Sequence, residues 1–123
     1  MRILIVDDQD DIRKIASLSL GRLGGMEVIE ASGGLDAIAK ADAERPDAIL
    51  LDMMMPGMDG PATFEALRKQ ETTAGIPVVF LTAKAMKSEV ERLMAMGATA
   101  VLTKPFDPTT LAAQVRQALG LTS

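Results

Sequence analysis

The 123-residue sequence contains no cysteine and no histidine. The first absence removes disulfides, thiolate metal ligands and cysteine nucleophiles together. The second removes imidazole ligands and any Ser-His-Asp site, so a phosphohistidine engaged in this protein's chemistry has to sit on a partner. Long apolar runs are missing as well; none approaches the roughly 20 residues that a membrane-spanning helix needs. Near the N-terminus, Arg2 precedes only Ile3-Leu4-Ile5-Val6 before two aspartates, too short for a secretory signal and without a small-residue cleavage site. A cytoplasmic location away from membranes is expected. Positive charge is also short: 13 Lys and Arg face 17 Asp and Glu, and the net charge of -4 disfavours direct binding of nucleic acid, which relies on a basic surface.

What remains is a chain rich in apolar residues, 48% of the total, with no long polar repeat, so a buried core is expected and disorder is not. Its length fits a single domain over residues 1–123, with no room for an effector module. Apolar, β-branched runs recur at 2–6, 27–31, 48–52, 77–82 and 99–103, separated by segments with helical spacing. That alternation predicts an α/β fold, a parallel sheet covered by helices on both faces. The flavodoxin-like doubly wound arrangement, (βα)5 with strand order 2-1-3-4-5, is the expected form.

The first helix is expected to bury Ile12, Ile15, Ala16, Leu20 and Leu23 and to stop at Gly24-Gly25; the second, Leu35, Ile38 and Ala39. The third starts after Asp59-Gly60 with Pro61 in its first turn and buries Phe64 and Leu67. The fourth uses Met86, Val90, Leu93 and Met94 and ends at Gly97. The fifth takes Asp107 as N-cap and Pro108 as its first residue, followed by Leu111, Val115 and Leu119. Core filling is the expected role of the methionines, including Met53, Met55, Met58 and Met96.

Four runs end in chemically capable groups: Asp7 and Asp8 after the first, Asp52 closing the third, Thr82 closing the fourth and Lys104 just past the fifth. In a sheet of this order, ligands sit beyond the carboxyl ends of the strands where the order reverses, which brings these residues together. Magnesium prefers oxygen ligands and keeps several waters, so Asp8 and Asp52 suit it directly, with Asp7 acting through water. Crowded carboxylates repel by about 4 kcal/mol per pair at 4 Å and an effective dielectric near 20, so one should titrate high without a cation. Asp52 is the expected nucleophile for a phosphoryl group, with Lys104 and the Thr82 hydroxyl serving the transferring oxygens. Asp10 and Asp11 read as acids that complement the first helix's N-terminus.

Across essentially its whole length, the sequence resembles the receiver domain of bacterial two-component response regulators. The resemblance rests on Ile3-Leu4-Ile5-Val6-Asp7-Asp8, Leu51-Asp52, Met55-Pro56-Gly57-Met58-Asp59-Gly60, Leu81-Thr82-Ala83, Gly97-Ala98 and Lys104-Pro105-Phe106. It implies a stand-alone, chemotaxis-regulator-like switch or a phosphorelay carrier. Asp52 would accept the phosphoryl group from the phosphohistidine of a histidine kinase or histidine phosphotransfer protein. Small acyl phosphates are implied as alternative donors. Asp7, Asp8, Asp52 and the Met54 carbonyl would hold magnesium, Thr82 and Lys104 would read the phosphorylated state, and a cis Lys104–Pro105 bond would aim the lysine.

The chain departs from the family in one place: the position three before the lysine, often aromatic in receivers, is Val101. Output to a downstream protein is therefore expected through the loop after Thr82 and the surface of helix 4, strand 5 and helix 5. Met54 and Lys84 occupy the positions that tune phosphoryl lifetime in receivers; neither carries a carboxylate or amide to orient water, so slow self-dephosphorylation is expected. Such a domain is not an enzyme acting on an outside substrate; it catalyses only its own phosphorylation and dephosphorylation. A competing resemblance joins Asp8-Gln9-Asp10-Asp11-Ile12 to haloacid-dehalogenase-like phosphatases, with Asp8 as nucleophile and Asp10 as acid. It leaves the Asp52 loop without a role.

Overall fold

All five apolar runs become strands of one parallel sheet in the computed structural model, which describes residues 1–83 and 86–121. In chain order they are β1 (Arg2–Val6), β2 (Glu27–Ala31), β3 (Ala48–Asp52), β4 (Val78–Thr82) and β5 (Ala100–Thr103). Their order across the sheet is β2-β1-β3-β4-β5, as expected. Every residue of β3 and β4 is buried, because helices cover both faces, and this explains why these strands read as unbroken apolar runs rather than alternating ones.

Alternate side chains along the strands feed two cores. Leu4, Val6, Ile49, Leu51, Val78 and Phe80 point to one side, where they meet Ala37 and Ala41 of α2 (Gly34–Glu44), Phe64 and Leu67 of α3 (Gly60–Lys69) and Leu93 of α4 (Lys87–Ala95). Ile3, Ile5, Ala48, Leu50, Val79 and Leu81 point to the other. There they meet Ala16 of α1 (Asp10–Leu18), Leu20 in the π-helical turn Ser19–Leu23 that continues it, and Leu111 and Val115 of α5 (Leu111–Ala118). The π turn is tied to the far end of the chain: Ser19 Oγ donates to the Pro108 carbonyl and Arg116 to the Gly24 carbonyl.

The helix faces differ from the expected ones in detail. Ile15, Leu23, Leu35 and Ala39 are exposed; α1 seats on Ala16 and the turn after it on Leu20, as expected, whereas α2 seats on the small residues Ala37 and Ala41 instead. Met53 and Met55 fill the core, whereas Met86 and Met94 face solvent, so α4 is anchored chiefly by Leu93. Helix α3 begins as expected, with Asp59 Oδ1 accepting from the Ala62 N–H at 2.9 Å. The start of α5 is a correction: residues 108–110 form a separate turn, and the helix begins at Leu111 after Thr110. Asp107 caps that turn, accepting from both the backbone and the hydroxyl of Thr109 at 2.8 and 2.7 Å, so its cap preference is satisfied one turn early.

Candidate functional site

Strand order and register assemble the site. β1 and β3 pair through Val6 and Leu51, β3 and β4 through Asp52 and Leu81, and β4 and β5 through Thr82 and Thr103. Asp52 and Thr82, which end their strands, and Asp7 and Lys104, which directly follow theirs, therefore lie side by side at the carboxyl ends of the strands. Lys104 is drawn further in by its own N–H, which donates to the Thr82 carbonyl at 2.7 Å, and the bond between Lys104 and Pro105 is cis.

Asp7, Asp52 and Thr82 are buried. Carboxylate oxygens of Asp7, Asp8 and Asp52 lie within 4.8 Å of one another, and Asp8 is the most exposed of the three. Lys104 Nζ bridges two of them, 2.8 Å from Asp7 Oδ2 and 3.0 Å from Asp52 Oδ1. Burial holds the Asp52 carboxyl above the usual range; the Lys104 hydrogen bond pulls it down, but the charges of Asp7 and Asp8 add to the rise. Burial alone would lower Lys104, yet its bonds to Asp7 and Asp52 outweigh that and raise it. The raised carboxyl of the cluster is thus Asp52, with burial as the first cause and the neighbouring acids as the lesser one.

Three oxygen donors of this kind, open on the Asp8 side, suit a hard divalent cation such as magnesium. The loop after Asp52 is fixed by the Met53 N–H donating to the Leu81 carbonyl and the Gly60 N–H donating to the Met53 carbonyl, both at 3.0 Å. Met54 sits in this loop with an exposed side chain, and Ala83 is exposed beside Thr82. Lys84 lies outside the described residues.

Two residues at the site carried no functional reading in the sequence. Gly60 passes so close to the acceptor strand that a Cβ there would lie 2.6 Å from the Asp52 carbonyl oxygen. Arg13 donates to the Asp7 carbonyl at 2.7 Å from one turn inside α1. An arginine six residues beyond Asp7, on the helix side facing β1, was the available signal for it. Asp10, by contrast, stands outside the carboxylate cluster, with its side chain 78% exposed and paired with Arg13. This leaves the phosphatase arrangement of Asp8 with Asp10 unassembled.

A buried, metal-suited carboxylate group with a lysine, at the switch point of a doubly wound sheet, defines a receiver-type phosphoacceptor architecture. Residues 3–116 match the response regulator receiver domain, and the chain belongs to that family. It is 38% identical over 118 residues to the alkaline phosphatase synthesis transcriptional regulatory protein PhoP of Bacillus subtilis, covering 96% of this chain and 48% of that protein. It is 40% identical over 118 residues to the DNA-binding dual master transcriptional regulator RpaA of Synechocystis, again covering 96% and 48%. The chain thus spans about half the length of these curated relatives. Among solved structures, the chemotaxis protein CheY4 of Vibrio cholerae superposes with a TM-score of 0.88 at 36% identity, covering 95% of this chain and 97% of that one. Among the described residues, no helix is long and apolar enough to cross a membrane.

Proposed function

We propose that this receiver domain is a phosphoacceptor switch whose acceptor is Asp52. The observation that carries the reading is the meeting of Asp7, Asp8 and Asp52 within 4.8 Å with Lys104 bonded to two of them. One Asp52 carboxylate oxygen attacks the phosphorus of a partner's phosphohistidine; the P–O bond forms, the P–N bond breaks with its electron pair returning to the ring nitrogen, and the donor, already protonated on its other ring nitrogen, leaves as neutral imidazole. Lys104 is near enough to move from carboxylate to phosphoryl oxygen, and the Thr82 hydroxyl, ending the adjacent strand, serves another. Asp7, Asp8, Asp52 and the Met54 carbonyl would hold magnesium, which supplies charge neutralisation to the transferring group. The domain turns over no outside substrate; its chemistry is confined to its own phosphorylation and dephosphorylation.

A histidine kinase or histidine phosphotransfer protein is the proposed donor, in the cytoplasm, and a downstream protein the proposed reader. Val101 packs at the margin of the core that holds Phe64 and Phe80 and has no ring to rotate, so output runs through the loop after Thr82 to α4, β5 and α5. The deciding experiment is incubation with a small acyl phosphate and magnesium, followed by mapping of the phosphorylated residue. Modification of Asp52, lost in Asp52→Asn, is expected. Modification of Asp8 with turnover of a free phosphate ester would establish the phosphatase reading instead.

A further inference from the structure

We infer that Arg13 is a positioning residue for the magnesium site, fixing the peptide from which Asp8 leaves β1. Its side chain is largely shielded, at 13% exposure, and each of its three nitrogens donates a hydrogen bond. Nη1 donates to the Asp7 carbonyl at 2.7 Å, Nε to Glu30 Oε1 at 3.1 Å and Nη2 to Asp10 Oδ1 at 2.6 Å. These three anchors belong to the end of β1, to β2 and to the first turn of α1. The Asp7 carbonyl is part of the Asp7–Asp8 peptide, so a bond to it sets the plane of that peptide and hence the direction in which the Asp8 carboxylate is presented. On the other side, Asp7 Oδ1 accepts from the Gln9 N–H at 2.9 Å, so the turn is held from both ends. A planar guanidinium meets these three acceptors from three separate nitrogens held in a rigid fork, a spread that the single nitrogen of an ammonium cannot match.

Electrostatics and positioning predict opposite outcomes when Arg13 is removed. Deleting a cation beside a carboxylate cluster draws magnesium in more strongly if charge alone matters. Releasing the Asp7–Asp8 peptide weakens binding, and partners that orient metal ligands typically carry about 10- to 100-fold in affinity. The inference rests on the magnesium reading of the acidic site.

The test is magnesium titration by calorimetry on the full chain, with amide hydrogen exchange at Gln9 as a second readout. Arg13→Gln is expected to weaken magnesium binding at least about tenfold and to speed exchange at Gln9, with Arg13→Lys falling between it and the parent. Arg2→Gln is the control, since Arg2 pairs with Glu27 and Glu44 at the opposite, amino-terminal end of β1 and its loss changes net charge equally. Its affinity is expected to stay within about twofold of the parent, a limit set by screening over that distance. Unchanged or tighter binding by Arg13→Gln, or an equal loss in Arg2→Gln, overturns the positioning role. Failure of the parent protein to bind magnesium overturns the site reading beneath it, which separates the two failures.

Discussion

Lys104 Nζ lies 3.0 Å from Asp52 Oδ1, with the two side chains only 17% and 7% exposed. This lysine therefore serves the metal-free protein before any phosphoryl group arrives, as the counter-charge that lets buried acids coexist. Lys104→Met is expected to lower metal-free stability by about 2 kcal/mol, below the roughly 3–5 kcal/mol for breaking a fully buried pair because the ammonium keeps some water. Urea unfolding at neutral pH with chelator measures it, and an unchanged midpoint would show that the pair is not structural.

Asp52→Asn is expected to act in the opposite direction. The folded-state pKa of Asp52 is raised, by burial first and by Asp7 and Asp8 in addition, so its ionised form is less at home in the folded chain than in the unfolded one. The resulting destabilisation is absent below the unfolded value of about 3.9, grows as pH rises through the folded value, and is complete above it. Metal-free Asp52→Asn should melt several degrees above the parent at neutral pH, since about 1 kcal/mol moves the midpoint of a domain this size by roughly 3–6 °C. That gain should shrink on acidification and on addition of magnesium to the parent. A lower melting point for the variant at pH 7 would contradict it.

The sheet and the site were legible in the sequence for a common reason. In a parallel sheet covered on both faces, buried strands are unbroken apolar runs, and Asp7, Asp52 and Thr82 each mark where such a run stops. The helices were less legible: Ala16 and Leu20 were read correctly, but α2 meets the sheet through Ala37 and Ala41, whose small side chains permit close approach and give little periodic signal beside Leu35. Asp107 and Pro108 carried a helix-start signature that a single turn satisfied before α5 began. Arg13 and Gly60 were harder to read because their roles are toward backbone atoms, the Asp7 and Asp52 carbonyls; Arg13 left only its place on the inner side of α1 as a signal, and Gly60 left none.

Met54 follows the acceptor by two positions with its side chain 73% exposed, so it can be changed without disturbing the core. An amide there would hold a water for attack on the aspartyl phosphate. Met54→Asn is expected to hasten phosphoryl loss roughly fivefold, the effect of one neutral hydrogen bond of about 1 kcal/mol gained in the transition state. Stability should stay within about 0.5 kcal/mol, as for most exposed substitutions. Decay of labelled Asp52 after donor removal measures the rate; slower decay in the variant would show that the methionine does not limit access of water.

Gly60 and Gly57 separate packing from backbone conformation within the same loop. A Cβ on Gly60 would lie 2.6 Å from the Asp52 carbonyl oxygen and 2.9 Å from Met53 Cα, all backbone that can yield only if the acceptor strand and the loop part. Gly57 has φ +75° with nothing within 4 Å, so a side chain there meets the left-handed penalty and no neighbour. Gly57→Ala is expected to lower stability by about 1 kcal/mol and leave the phosphorylation rate near the parent's. Gly60→Ala is expected to lose about 1–3 kcal/mol as an overpacked site and, because the displaced atoms carry the acceptor, to slow phosphorylation by an acyl phosphate as well. Unfolding midpoints and initial labelling rates measured on both variants decide the matter: equal labelling rates would mean that the Asp52 loop moves without displacing the acceptor, whose position is then held from the β4 side.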